Sequence, residues 1–122
     1  MANERLSFKD MCARFDVTPR TLRYYEYIEL LSPERVGRTR LFTPRDIARM
    51  TLIKRGRRFG FSLEELRQWL QMRDEVGKEA QMRTLVEAAE RQLAKLDDQI
   101  ATLQRARDDL DALRTEVAES LG

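Results

Sequence analysis

The chain has 122 residues, of which 36% are charged, with one cysteine and no histidine. That length supports one small domain plus an extension, and no apolar run is long enough for a membrane span or a signal peptide. Net charge is only +2, yet residues 1–61 hold 14 Lys and Arg against 7 Asp and Glu, whereas residues 62–122 hold 9 against 14. A basic half joined to an acidic one suggests a polyanion-binding head and a solvated tail with another task. Cys12 alone excludes an internal disulfide, and one cysteine without histidine removes the usual soft-metal ligand sets, so no cofactor is expected. Cys12 itself reads as a small buried apolar residue in a first helix. The expected compartment is the cytoplasm.

Ser7 followed by FKDMCARF predicts a capped helix, with Phe8, Met11, Cys12 and Phe15 at helical spacing. Asp16 and Val17 form a short turn, after which Thr18 caps a second helix with Pro19 at its favoured first position. Two short helices across so tight a turn make a helix-turn-helix. The second, over residues 18–28, carries Arg20, Arg23 and Tyr24 on one side and Leu22, Tyr25 and Ile28 on the other. A capped start, a basic edge and an apolar back suit a helix that docks on its own domain and enters a DNA groove.

In SPERVGRTRLFT, Pro33 ends helical structure and Gly37 separates Arg35–Val36 from Arg40–Phe42, which predicts a small hairpin. Arg35, Arg38 and Arg40 on or beside it are what a wing needs to reach a phosphate backbone. Thr43 and Pro44 start a third helix to about Phe59, with Ile47, Met50, Leu52 and Ile53 expected towards the core and Gly60 as terminator. Its basic end includes Arg57 and Arg58. Ser62 and Glu65 form a capping box for a fourth helix with an apolar face of Leu63, Leu66, Trp69, Leu70 and Met72, broken at Gly77.

Residues 79–119 contain neither Gly nor Pro and predict one helix of about 40 residues, roughly 60 Å long. Its apolar stripe includes Leu93, Leu96, Ile100, Leu103, Leu110, Leu113 and Val117, in steps of three and four with a slip near Leu103. Left in water, each leucine would forgo about 1.5–3 kcal/mol of burial. The economical cover is a second copy in an antiparallel coiled coil; folding back on its own domain would need a break that the sequence lacks. The expected fold is therefore mainly α: a winged helix-turn-helix head with a small β-hairpin (residues 1–76), then a long dimerisation helix (residues 77–122).

This pattern resembles the MerR family of bacterial transcription regulators. The resemblance rests on Thr18-Pro-Arg-Thr-Leu-Arg-Tyr-Tyr-Glu26, Leu30-Leu31-Ser-Pro33, Arg40-Leu-Phe-Thr43, Asp46-Ile47 and Arg57-Arg58-Phe59-Gly60-Phe61-Ser62-Leu63-Glu64-Glu65, and covers essentially the whole chain. In two respects the chain departs from the family. Glu29 replaces a glycine, so either it adopts a left-handed conformation at a cost on the order of 1 kcal/mol or the turn differs locally. The chain also lacks the cysteines of metal-sensing members and the appended domain of drug sensors, which places it with the short members.

Residues and resemblance together point to double-stranded DNA. Thr18 at the helix start is expected among the DNA-binding residues, Arg20 beside it to reach a base edge or phosphate, and Arg23 and Tyr24 to hold phosphates. Arg35, Arg38 and Arg40 are expected to grip the flanking backbone or minor groove, and Arg57 and Arg58 to clamp phosphates; Tyr25 is given a packing role. The resemblance implies a homodimer on an inverted repeat that bends and untwists a promoter so that RNA polymerase can engage it. Any effector would act on the angle between heads and coiled coil, with residues 74–78 around Gly77 as hinge. No catalytic constellation is present: there is no His, no Gly-rich phosphate loop, and no Ser or Cys with a base beside it. Two other readings share these features, an architectural DNA-bending accessory of the excisionase type and a coiled-coil adaptor with a basic head.

Overall fold

Ser7, Thr18, Thr43 and Ser62 each end a stretch of extended backbone and begin a helix, their hydroxyls accepting the N–H three residues on. These four local signals set the element boundaries in the computed structural model, which describes residues 4–122. The order is β1 (Leu6–Ser7), α1 (Phe8–Phe15), α2 (Pro19–Tyr27), β2 (Glu34–Val36), β3 (Thr39–Phe42), α3 (Pro44–Phe59), α4 (Leu63–Glu75) and α5 (Lys78–Leu121). Both α3 and α4 open with full capping boxes, Thr43 with Asp46 and Ser62 with Glu65, and Gly60 ends α3 in the left-handed conformation.

The hairpin belongs to a three-stranded antiparallel sheet of order β1-β3-β2. Gly37 takes φ +64° at its tip, a conformation glycine adopts without strain. β3 sits in the centre, pairing Leu6 with Phe42 on one side and Arg35 with Arg40 on the other. The sequence reading had Ser7 only as a cap and missed β1, because a two-residue strand is too short to show alternation. Its identity comes from partners 36 and 34 positions away, Phe42 for Leu6 and Leu41 for Ser7.

The chain divides into two compact units, one through Gln81 and one from Met82 onward. The first is built on one core: Leu6, Met11, Leu22, Tyr25, Leu30, Leu31, Phe42, Met50, Ile53, Leu66 and Leu70. Phe8, Cys12, Phe15 and Trp69 pack at its margin. Leu52, expected in this core, is instead exposed. It lies about 100° around α3 from Ile53 and about 160° from Met50, outside the arc that those two core residues define. Gly56 marks where α3 and α4 approach most closely: a Cβ there would collide with the Leu66 side chain. The first turn of α5 also belongs to this unit. Trp69 Nε1 donates to the Gln81 carbonyl and Gln81 Nε2 donates to the Trp69 carbonyl, both at 2.9 Å, with the Gln81 side chain buried.

Glu29 has φ +63°, so the glycine-like turn is kept and the glutamate bears its strain. The turn is fixed by the Glu29 N–H to the Glu26 carbonyl and the Leu30 N–H to the Tyr25 carbonyl, which leaves no other path to buried Leu30 and Leu31. Glu29→Gly is accordingly expected to stabilise the head by about 1 kcal/mol. Thermal unfolding followed by circular dichroism would show it as a rise of several degrees; an unchanged or lower midpoint would mean the turn is not strained.

The second unit is the remainder of α5, a continuous helix. Leu93, Ile100, Leu103, Leu110, Leu113 and Val117 are exposed along it, Leu103 at 69%, while Leu96 is partly covered. No helix among the described residues is long and apolar enough to cross a membrane.

Candidate nucleic-acid interface

α2 turns one face to the core and the opposite face to solvent. Leu22 and Tyr25 are buried, while Arg20, Arg23, Tyr24 and Tyr27 are exposed. At 100° per residue these four positions fall within about 100° of one another and stand opposite Leu22. The helix begins at Thr18, whose Oγ1 accepts the Thr21 N–H at 3.1 Å and donates to the Thr21 hydroxyl at 3.0 Å. Both hydroxyls are thereby committed to holding the first turn, which places Arg20 at the free N-terminal end.

Beside α2 lies an open cleft of about 700 Å³, lined by Asp16, Val17, Thr18, Thr21 and Tyr25 on one side and Lys54, Arg55, Arg57 and Arg58 from α3 on the other. Arg57 is held in place by donating Nη1 to the Phe61 carbonyl at 3.0 Å, and Arg55 lies over the Phe59 ring. Four cations face a single carboxylate, Asp16, across this cleft. Burial pushes the Tyr25 phenol up from its ordinary value, against a smaller pull down from Arg57, so its hydroxyl is a neutral donor beside the cations. Sequence reasoning named Arg57 and Arg58 but not Lys54 or Arg55, and gave Tyr25 a packing role with its hydroxyl reaching backbone. The basic run 54–58 was the available signal; only the fold brings it against the start of α2.

The three wing arginines fall into two groups. Arg35 and Arg38 are exposed, and among the described residues neither has an ion-pair partner. Arg40 instead turns back to α2: its Nε lies 3.0 Å from Glu26 Oε1, and its guanidinium sits 5.5 Å from the Phe8 ring centroid. The ion pair is close but badly angled, since that Nε–H makes no hydrogen bond. Arg23 approaches the same ring at 5.4 Å. Phe8 and Glu26 thus tie wing, α1 and α2 together. Glu26 also relieves the like-charge pairing of Arg35 and Arg40, which sit directly opposite each other across β2 and β3. Arg20, Arg23, Tyr24, Arg35, Arg38 and the cleft cations remain accessible; Arg40 serves as a brace.

Burial also raises the Cys12 thiol above its ordinary value, with a weaker opposing effect of Arg23, so at neutral pH it stays protonated and poorly nucleophilic. Among the described residues no three His, Cys, Asp or Glu side chains gather to hold a metal ion.

Comparison with known proteins agrees with this geometry. Residues 6–73 match the MerR HTH family regulatory proteins, and residues 47–113 match the family described as MerR, DNA binding. The transcriptional regulator ZntR of Escherichia coli strain K12 is 42% identical over 60 residues, a match spanning 48% of this chain and 43% of ZntR, so the chain aligns with less than half of that relative's length. HmrR of Rhizobium leguminosarum bv. viciae, also a transcriptional regulator, is 33% identical over 82% of this chain and 77% of its own. The crystal structure of HiNmlR, a MerR family regulator lacking the sensor domain and bound to promoter DNA, superposes with a TM-score of 0.66. At 21% identity, covering 86% of this chain and 80% of that one, it supports the fold. The helix-turn-helix, the hairpin wing and the long C-terminal helix are those of the MerR family of DNA-binding transcriptional regulators, and the chain belongs to it.

Proposed function

We propose that two copies of the chain pair along α5 and present their heads to an inverted-repeat promoter site, which they bend and untwist to control transcription. Residues 1–76 act as the DNA-binding head and residues 77–122 as the dimerisation helix. α2 enters the major groove, Arg20 reaches a base edge, and Arg23 and Tyr24 hold the strand beside it. Arg35 and Arg38 on the wing grip the flanking backbone, while the cleft beside α2 receives a phosphate among Lys54, Arg55, Arg57 and Arg58. The observation that carries this reading is the cleft, where the N-terminal end of α2 and four α3 cations converge on one open concavity.

Two heads related by a two-fold axis read the same sequence in opposite directions. Bending a site of this size costs on the order of 1–6 kcal/mol, offset by the contacts of wings and clefts. RNA polymerase is then the partner that profits from the distorted promoter. Gly77, with φ +94°, supplies the joint at which a signal could alter the presentation of the heads.

A gel shift over a salt series tests this. The logarithm of affinity should fall by about 0.9 per logarithm of salt for each phosphate neutralised. Arg57→Ala should weaken binding to every duplex alike and reduce the dimer's slope by nearly two. Arg20→Ala should instead relax base preference and cost about 1–3 kcal/mol at a cognate site. Equal, sequence-blind losses from both would show that α2 does not read bases. Absence of binding to any duplex at low salt would overturn the DNA reading altogether.

A further inference from the structure

Tyr27 is the most exposed aromatic side chain on the head, 83% accessible, on the helix otherwise devoted to DNA. We propose that it determines specificity, resting its ring on a thymine methyl group in the major groove. This inference rests on the DNA reading above and adds a residue to it.

Tyr27 follows Arg20 by seven positions, so it lies about 20° from it around the helix axis and about 10 Å further along. It is therefore on the same outward line as Arg20, about 140° around the helix from buried Leu22. No hydrogen bond, ion pair or ring contact holds it among the described residues, so nothing in the head's own packing calls for an aromatic at this position.

The surroundings select the kind of contact. Tyr27 is the last residue of α2, where the helix dipole presents its negative end. Glu26 beside it is paired with Arg40 and the Ile28 carbonyl accepts from Arg67 Nε at 3.1 Å, so the cations at this end of α2 are engaged within the head and none is left to receive a phosphate. An uncharged contact is favoured instead. On the major-groove edge of B-DNA the only apolar group is the thymine C5-methyl. A ring held at the far end of the reading helix, two turns from Arg20, would cover such a methyl about three base pairs along the site.

The test starts from duplexes that the wild-type protein selects out of a randomised library. Each thymine in the selected half-site is replaced in turn by deoxyuridine, which lacks only the methyl, and dissociation constants are measured by fluorescence anisotropy. At one thymine per half-site, uracil should weaken the wild-type protein about fourfold, the value of one buried methyl. Tyr27→Phe should keep that ratio. Tyr27→Ala should bind the thymine and uracil duplexes equally, with circular dichroism unchanged because the residue is 83% exposed.

The proposal is overturned if no thymine is sensitive, or if Tyr27→Ala retains the wild-type ratio. It is equally overturned if Tyr27→Phe loses as much affinity as Tyr27→Ala, since that would assign the contact to the hydroxyl. Failure of the wild-type protein to select any duplex would remove the DNA reading itself. Selection with a methyl-blind Tyr27 removes only this inference.

Discussion

Leu103→Asp is expected to leave the protein monomeric at micromolar concentration while its head stays folded. In the single chain Leu103 is 69% exposed, so the substitution disturbs no contact within the molecule. In a two-fold pair it removes two buried leucines at about 1.5–3 kcal/mol each, and the new carboxylates must also lose water. The combined loss, roughly 3–6 kcal/mol, raises the dissociation constant of the dimer by about 10²- to 10⁴-fold. Sedimentation velocity would show the change directly, and binding to an inverted repeat should weaken far more than binding to one half-site. A variant that still sediments as a dimer at the same concentration would place the pairing surface elsewhere.

The second large effect is expected at Asp46, which carries a carboxylate only 2% exposed. Its Oδ1 accepts the Ser32 N–H at 2.9 Å and its Oδ2 accepts the Thr43 N–H at 3.2 Å, while its own N–H donates to the Thr43 hydroxyl at 3.2 Å. One side chain therefore completes the α3 cap and fastens the loop that leads from α2 into the wing. Asp46→Ala strands two backbone donors in a buried setting, a loss of about 3–6 kcal/mol when each charge-assisted bond contributes about 1.5–3. Asp46→Asn should cost nearly as much, because its amide turns a donor towards one of the same N–H groups. Urea unfolding would register either variant as a fall in midpoint of about 2–4 M, taking a slope near 1.5 kcal/mol per M. A shift below about 0.5 M would mean that water replaces the carboxylate without penalty.

What could be read from the sequence was what local chemistry controls. The caps at Ser7, Thr18, Thr43 and Ser62, the stop at Gly60 and the uninterrupted run that becomes α5 depend on residues within one turn of each other. What escaped depends on partners distant in the chain. β1 exists because Leu6 and Ser7 meet Phe42 and Leu41, and Arg40 is drawn inward by Glu26 and Phe8, neither of which adjoins it in sequence. Leu52 was misplaced because an apolar residue next to a true core position satisfies composition but not the helical angle. Glu29 lay between these cases: the resemblance flagged the turn, and the bonds closing it decided that the side chain had to bear the conformation. The interface followed the same division. Arg20 and Arg23 lie on the second helix of the helix-turn-helix and Arg57 and Arg58 in a segment that carries the resemblance, whereas Tyr25 and the other two cations of the run 54–58, Lys54 and Arg55, acquire their part only when α3 is laid against α2.

The reciprocal bonding of Trp69 and Gln81 has an optical consequence. Trp69 is the sole indole of the chain, and its N–H is engaged by the first turn of the long helix. That turn cannot peel away from α4 without releasing the indole to solvent, which lowers the energy of its excited state. The protein thus carries an intrinsic fluorophore wired to its own joint, able to report unlabelled, in real time, whether a promoter or a small molecule has disturbed it.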